Sequence, residues 1–267
     1  NDILKEVNET QSQYDYVRRK YLKELSDYTG RNTVAYYSSW LNKQGNNLDI
    51  NDADMTGFMT CVHGLDCTKG LDLVLHTPGG SPAAEAIVSY LRAKFDNDIR
   101  VIVPQLAMSA GTMIACSAKE IIMGKQSSLG PIDPQFNGIP AYNIMMEFEE
   151  AKKDLLENPN NAQYWAIKLQ QYPAAFMKTA IDAIELSGKL IEEWLGTCMF
   201  DKNNRGDQRI IDNIVSKLNE HDDSKIHGRH FNAEFCKNIG LKVLMMEEDG
   251  ELQDKILSVH HSYMITL

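Results

Sequence analysis

Short apolar segments alternate with helical segments between residues 71 and 123, and this alternation constrains the fold more than any other feature of the sequence. The segments 71–76 (LDLVLH), 99–103 (IRVIV) and 120–123 (EIIM) are apolar runs of strand length. Helices are predicted between them, over 83–95 and 109–118. Such strand–helix–strand units are right-handed, so the sequence predicts an α/β fold whose parallel sheet is covered on both faces.

The rest of the chain is organised around this α/β core. Residues 1–30 are predicted to form an N-terminal helix that ends near Gly30, and residues 246–267 a C-terminal tail. Residues 31–245 are expected to form one domain with a helical insertion at about 141–218. The helices predicted in this insertion span 141–157, 161–171, 174–198 and 207–218, and a late strand is predicted at 241–245.

The charge, the cysteine content and the absence of long apolar runs narrow the possible classes of protein. The net charge of −10 argues against nucleic-acid binding, which depends on Lys and Arg neutralising phosphates. The five cysteines are odd in number and scattered, which is typical of reduced thiols in a cytoplasmic protein. The sequence contains no apolar run of about 18 residues, so no membrane span is predicted. It shows no standard metal-ligand spacing, and we expect no metal or cofactor.

The first predicted turn that bears on chemistry is Pro78-Gly79-Gly80, directly after the strand 71–76. Ligands bind at the carboxyl ends of parallel strands. Glycine tolerates positive φ, so backbone amides here can face a common point, as an oxyanion hole requires. The alternative is that these glycines only form a tight turn before a helix.

The second turn, Ala107-Met108-Ser109-Ala110-Gly111, follows the next strand along the chain. It places Ser109 at a strand-to-helix junction among small residues, where the helix N-terminus favours a developing negative charge. The alternative is that Ser109 only caps the helix, the commonest role of serine at such a position. The two turns occur on consecutive strand–helix units, and this pairing favours a catalytic role for Ser109.

Long motifs around these turns resemble those of a known family. They include LDLVLHTPGGSPAAEAIVSYLR and IRVIVPQLAMSAGTMIACSAKEIIMGKQSSLGPIDPQ, and the likeness continues through YPAAFMKTAIDAIELSGKLIEEWL and IHGRHFNAEFCKNIGLKV. Over roughly residues 30–245 the chain resembles the serine dehydrogenase proteinase family, soluble relatives of signal peptide peptidase A among the ClpP-class serine proteases. No GxGxxG turn follows a strand, so nothing in the residues suggests a dehydrogenase.

This resemblance implies a fold, a site and an assembly. The implied fold is the ClpP/crotonase-like spiral of ββα units with a parallel sheet, elaborated by helices in the C-terminal half. The implied site has Ser109 as the nucleophile and the amides of Gly80 and Ala110 as oxyanion donors, with Gly79 shaping the turn. The resemblance also implies a peptide or protein substrate and a homo-oligomer, for which the helices at 141–218 are a candidate assembly surface.

The base that would activate Ser109 has competing candidates. Relatives of signal peptide peptidase A use a lysine downstream of the serine, and Lys152 and Lys153 fall in the comparable range, although a solvated surface helix is the alternative for both. ClpP uses a histidine and an aspartate; here Asp133 stands where ClpP has its histidine, and His227 stands near the place of its aspartate. A Ser109–His227–Asp133 set is admissible because triads are defined by geometry. A turn-forming Asp133 and a capping or solvent-facing His227 are the structural alternatives.

Three functions compete at this point. The leading hypothesis is a serine peptidase that cleaves peptide bonds through an acyl-enzyme on Ser109. The second is a crotonase-type acyl-CoA hydratase or isomerase, a class that uses carboxylate bases and does not need a serine at the helix start. The third is a non-catalytic oligomeric scaffold or binding protein with the same fold.

Overall fold

The computed structural model describes residues 15–43, 45, 48–80, 83–219 and 228–267. The elements in the first half of the chain are α1 (Asp15–Thr29), β1 (Asn32–Tyr37), α2 (Asp54–Val62), β2 (Leu71–His76), α3 (Ala83–Phe95), β3 (Ile99–Val103), β4 (Leu106–Ala107), α4 (Ala110–Cys116), β5 (Glu120–Met123) and β6 (Ser128–Leu129). Those in the second half are β7 (Gln135–Phe136), β8 (Ile139–Pro140), α5 (Ala141–Glu157), α6 (Ala162–Leu169), α7 (Phe176–Trp194), α8 (Arg205–Asn219), β9 (Phe231–Asn232), α9 (Ala233–Ile239), β10 (Val243–Met245) and α10 (Gly250–Thr266).

A parallel sheet with strand order β1-β2-β3-β5-β10 forms the centre of the molecule. The strands lie side by side in the same order in which they occur along the chain. This order is expected for parallel strands whose connections cross over the faces of the sheet. The mixed α/β class with a parallel sheet is therefore confirmed. The strands 71–76, 99–103 and 120–123 and the helix 83–95 have the bounds that the sequence predicts.

Alternate side chains of each central strand belong to different cores. Leu73 and Leu75 of β2 and Val101 of β3 belong to the larger core, which also contains buried residues of α3, α4, α7 and α8. Val74 and Ile102 belong to a smaller core on the other face, packed against α1 and α10. Burying such a side chain stabilises the fold by about 1.5–3 kcal/mol. The sheet is thus covered on both faces, as predicted.

Some elements lie where the sequence predicts none. Strand β1 is an edge strand, mostly only partly buried, and α2 follows it in the segment before β2. The segment 246–267, expected to be a tail, contains α10, which packs against α1. The sequence predicts an N-terminal helix over residues 1–30, and α1 is the part of it that the structure describes. Helix α1 ends just before Gly30, which has a positive φ of 68°. Within the described residues, no helix combines the length and apolar character needed to cross a bilayer.

A second, smaller sheet brings the predicted site together. Its strand order is β4-β6-β9, with β4 parallel to β6 and β9 antiparallel to β6. Strand β4 follows β3 and leads into α4, while β6 follows β5. The segment after β2 joins this sheet through a parallel bridge between Thr77 and Ala107. The carboxyl ends of β2 and β3 are thereby held side by side.

The amino ends of the strands carry a network of ion pairs. The carboxylate of Asp72, fully buried in β2, accepts from Arg31 Nε at 2.7 Å and from Arg100 Nε and a terminal nitrogen of Arg100 at 2.7 Å. Asp98 pairs with Arg31 and, at 2.6 Å, with Lys119. The buried carboxylate of Asp72 needs such charge-assisted hydrogen bonds, since removing a charge from water is costly.

Candidate active site

Ser109 has a backbone conformation that a side chain rarely adopts. It lies just before α4 with φ 51° and ψ −115°, and its side chain makes no capping hydrogen bond to the helix. Positive φ is uncommon for a non-glycine residue and costs on the order of 1–3 kcal/mol, so such strain persists only where the surroundings enforce it. The structure therefore disfavours the alternative in which Ser109 is an ordinary N-cap.

The surroundings that enforce this conformation come from the neighbouring strand. The N–H of Thr77 donates to the carbonyl of Leu106 at 3.0 Å, and the carbonyl of Thr77 accepts from the N–H of Met108 at 3.0 Å. The backbone on both sides of Ala107 is therefore tied to the end of β2. Ser109 follows this tied segment directly.

The glycine turn lies against Ser109 without space for side chains. A Cβ on Gly79 would come within 2.6 Å of Ser109 Cβ, and one on Gly80 within 2.6 Å of the Ile50 backbone. Both glycines have positive φ, 105° and 145°. The turn therefore requires glycine twice, for conformation and for close approach.

Hydrogen bonds set the direction of the amides in this turn. The Gly79 carbonyl accepts from the N–H of Ile50 at 2.7 Å. The C=O and N–H of one trans peptide point in opposite directions, so the N–H of Gly80 points away from Ile50. Within the described part of the chain, neither this N–H nor that of Ala110 has a hydrogen-bond acceptor.

A cleft of about 630 Å³ opens beside Ser109. Its wall is largely apolar and comes from the glycine turn, α3, α4, the segment 132–138 and one face of α7. The lining residues are Asp49, Pro78, Gly80, Ala84, Glu85, Ser109, Ala110, Met113, Ile132, Pro134, Gln135, Phe136, Gly138, Ala183, Leu186, Ser187 and Leu190. This volume falls in the range typical of ligand-binding pockets.

A buried histidine lies at the end of β2, one residue before Thr77. The ring of His76 is fully buried between Tyr37 and Trp40, at centroid distances of 5.3 and 4.4 Å, and His76 Nε2 lies 3.2 Å from Gln105 Oε1. Burial lowers the pKa of His76 to about 4, so the ring is neutral at pH 7. His76 is thus a core residue that ends a strand, and it is not among the residues that line the cleft.

The structure separates the predicted base candidates. Asp133 is buried, its carboxylate accepts from Gln135 Nε2 at 2.8 Å, and its neighbours Ile132 and Pro134 line the cleft. Lys152 has a side chain that is 71% exposed on α5, with Nζ 3.8 Å from Glu149, and it is absent from the cleft lining. On this placement Lys152 is a surface residue, and Lys153 lines a separate groove. His227 lies outside the described residues.

Several residues of the site carry no signal in the sequence. Ile50 reaches Gly79 from about 30 positions earlier in the chain, and Ala183, Leu186 and Leu190 of α7 reach the cleft from a helix predicted only as part of an insertion. The spacing of the three α7 residues along one face of a helix identifies a buried or half-buried stripe, but only tertiary packing shows which surface it covers.

Comparison with known proteins agrees with these observations. Residues 48–160 match the model of a family described as ClpP-like SDH-type serine proteinase. Two uncharacterized proteins of Methanocaldococcus jannaschii are also similar: MJ0137 is 42% identical over 86 residues and MJ1495 is 41% identical over 75 residues. These matches cover 32% and 28% of this chain, and only 30% and 26% of the two relatives.

The family match covers most of the residues that build the site, but not the cleft wall on α7. It includes the glycine turn, Ser109 and Asp133, together with strands β2, β3 and β5. The resemblance indicated by the sequence motifs is therefore confirmed for this segment: residues 48–160 are similar to the ClpP-like SDH-type serine proteinases.

Proposed function

We propose that this protein is a serine peptidase that cleaves peptide bonds through an acyl-enzyme on Ser109. The observation that carries the proposal is the strained Ser109 at the start of α4, packed against a glycine turn in a cleft of substrate size. Strain of this kind is concentrated at functional sites. A crotonase-type enzyme or a scaffold would have no use for a serine held in this way.

The proposed reaction has two steps that share one oxyanion site. A base removes the hydroxyl proton as Ser109 Oγ attacks the substrate carbonyl carbon, and the resulting oxyanion accepts hydrogen bonds from the N–H groups of Gly80 and Ala110. The amine then leaves with the proton that the base returns. Water, deprotonated by the same base, attacks the acyl-enzyme, and the base returns this proton to Ser109 Oγ as the acid is released. Each amide donor of this kind is worth about 10²–10³ in rate.

We propose His227 as the base and Asp133 as the carboxylate that orients it. Strand β9, which begins four residues after His227, pairs with β6, and Gly130 directly after β6 lies against the Ser109 backbone, where a Cβ would come within 3.4 Å of Ser109 N. A histidine also has a suitable pKa for accepting a proton near neutral pH. The buried carboxylate of Asp133 lies between two residues of the cleft wall.

The overall architecture supports two further parts of the proposal. The succession β3-β4-α4, with β4 in the second sheet, is the pattern of a ββα unit, and we propose the ClpP/crotonase-like spiral on this basis. We also propose a homo-oligomer that assembles through the helical insertion, where Leu156, Tyr164 and Ile167 are exposed. Sedimentation of the wild type as a strict monomer at micromolar concentration would contradict the oligomer.

The test of the peptidase is covalent labelling with a fluorophosphonate, followed by cleavage of casein or a peptide substrate. We expect the wild type to be labelled once, Ser109→Ala to lose both labelling and cleavage, and Ser187→Ala to retain both. Ser187 is a matched control because it lines the same cleft but donates to the carbonyl of Ile184 at 3.0 Å within its own helix. Absence of labelling in the folded wild type would overturn the proposal.

A further inference from the structure

Thr77 is buried between the end of β2 and the glycine turn, and three of its polar groups are used in building the site. Its backbone N–H and carbonyl bind Leu106 and Met108, the segment that leads to Ser109, each at 3.0 Å. Its side-chain Oγ1 accepts from the N–H of Gly79 at 3.1 Å. One residue therefore holds both the serine segment and the glycine turn.

The Oγ1 contact determines how the turn presents its next amide. The N–H of Gly79 is held by Thr77, and the carbonyl of Gly79 is held by Ile50 at 2.7 Å. These two bonds fix the residue at both ends and therefore the plane of the peptide that follows it. The N–H of Gly80 belongs to that peptide, so its direction depends on the Thr77 hydroxyl. Without Oγ1, a glycine with positive φ has many conformations available.

The methyl group of Thr77 has a separate role in packing. A Cβ on Gly111, in the first turn of α4, would come within 2.6 Å of Thr77 Cγ2, so the methyl group occupies the space beside this glycine. Valine would keep this methyl group and replace the hydroxyl with a second methyl group of similar size, whereas serine would keep the hydroxyl and remove the methyl group. The two substitutions therefore separate the hydrogen bond from the packing.

We propose that Thr77 is a positioning residue for catalysis, whose hydroxyl aims the N–H of Gly80 at the carbonyl oxygen that Ser109 attacks. This inference rests on the proposed peptidase and deepens it. A misdirected oxyanion donor weakens transition-state binding more than substrate binding, so its loss lowers kcat and leaves KM almost unchanged. A misplacement of about 1 Å can cost about 100-fold in rate.

The experiment compares Thr77→Val, Thr77→Ser and the control Thr33→Val, with active sites counted by fluorophosphonate titration to completion. Thr33 is a matched control because it lies on the adjacent strand β1, and its buried Oγ1 has no hydrogen-bond partner among the described residues. We expect Thr77→Val to lower kcat per titrated site by about 10- to 100-fold with KM within about threefold. Thr77→Ser and Thr33→Val should stay within about threefold of the wild type.

A second readout separates positioning from stability. A peptide aldehyde forms a tetrahedral adduct with the serine and uses the oxyanion donors, whereas the product peptide acid does not need a tetrahedral centre. Aldehyde affinity should fall in Thr77→Val in proportion to kcat/KM, while product affinity stays the same. If Thr77→Val does not fold, Thr77→Ala and Thr77→Ser replace it, and only the alanine variant should lose activity per titrated site.

Several results would overturn the inference. Wild-type kcat in Thr77→Val, an equal loss in Thr77→Ser, or a fall in product affinity as large as the fall in aldehyde affinity would each contradict a positioning role. These results differ from failure of the proposed function itself, in which the wild type is neither labelled nor active and both proposals fall together.

Discussion

The two ends of the central sheet solve different physical problems with different chemistry. At the amino ends of the strands, the carboxylate of Asp72 is buried and accepts hydrogen bonds from Arg31 and Arg100. At the carboxyl ends, Ser109, Gly79 and Gly80 have positive φ beside a cleft, and the N–H groups of Gly80 and Ala110 have no acceptor among the described residues. The amino end uses its polar groups internally, whereas the carboxyl end leaves polar groups available for a ligand.

This difference shows how one sheet can combine stability with reactivity. Fully paired charges contribute to holding the strands in register but have no capacity left for binding. Strained backbone and unpaired amides cost stability, and they persist because the sheet and its two cores over-determine the local structure. Substitutions at the carboxyl end should therefore change activity more than stability, and substitutions at the amino end should do the reverse.

The largest expected effect is on activity, at the carboxyl end. His227→Ala should lower kcat/KM by about 10²–10⁴-fold, since it removes the proposed general base. Lys152→Ala should leave kcat/KM within about twofold, because its side chain is exposed and its Nζ lies 3.8 Å from Glu149 at the surface. Steady-state hydrolysis of a chromogenic peptide measures both variants. A large loss in Lys152→Ala with normal activity in His227→Ala would reverse the assignment.

The next largest effect is on stability, at the amino end. Asp72→Ala should lower the free energy of unfolding by about 3–5 kcal/mol, because it leaves Arg31 and Arg100 without their shared buried partner. Urea unfolding at pH 7.5 measures the loss. Lys23→Ala is the matched control: its pair with Asp27 is exposed at the surface, and its removal should cost less than about 1 kcal/mol. If Asp72→Ala and Lys23→Ala unfold at the same urea concentration, the proposed stabilising role of the Asp72 network is wrong.

Fluorophosphonate labelling extends the Asp72 experiment to the comparison between the two ends. While Asp72→Ala remains folded, its Ser109 should be labelled at close to the wild-type rate, because Arg31 and Arg100, its partners among the described residues, do not line the cleft. A loss of labelling in the folded variant would show that the two ends are coupled and would contradict their separate roles.

A smaller effect is expected from pH, through two buried histidines on the face near α10. Burial lowers the pKa of His76 to about 4 and that of His260 to about 3, both below the unfolded value of 6.5. The unfolded chain therefore binds more protons below pH 6.5, so stability is full above that pH and falls as the pH drops toward the folded pKa values. Each histidine should account for about 2 kcal/mol of loss between pH 7 and pH 5.

Unfolding in urea at pH 7 and pH 5 tests this dependence, in a range where most carboxylates stay ionised. His76→Gln should reduce the difference in unfolding free energy between the two pH values by about half, because His260 continues to contribute. An unchanged pH dependence in this variant would show that the pKa of His76 is the same in the folded and unfolded protein and would contradict this account.

The sequence predicts the central strands well because their physical signal is local. Each of the segments 71–76, 99–103 and 120–123 is an almost continuous apolar run, as expected for strands buried on both faces. Strand β1, with the sequence NTVAYY, lies at the sheet edge and is mostly only partly buried, so it is not a strand buried on both faces. Helix α10 has a weak apolar stripe because it buries His260 and Ser262 beside aliphatic side chains.

The residues of the candidate site also differ in whether a local sequence pattern predicts them. Ser109, Gly79 and Gly80 are visible in the sequence because strain and close approach require particular residue types at particular positions. The contact of Ile50 with Gly79 joins positions about 30 residues apart, and the cleft wall on α7 is more distant still. Such contacts follow from how the elements pack, and no local pattern specifies them. The role of Thr77 became visible only once its hydrogen-bond partners were known.

The most direct test of the account is to locate the acyl group after the protein reacts with an activated ester and is quenched in acid. Trypsin then releases the peptide 101–119, which contains Ser109 and, as an internal alternative, Ser117. The account predicts one acyl group per chain, on Ser109, in the wild type, and none on this peptide in Ser109→Ala. An acyl group on another residue, or wild-type turnover of the ester without any adduct in rapidly quenched samples, would contradict it.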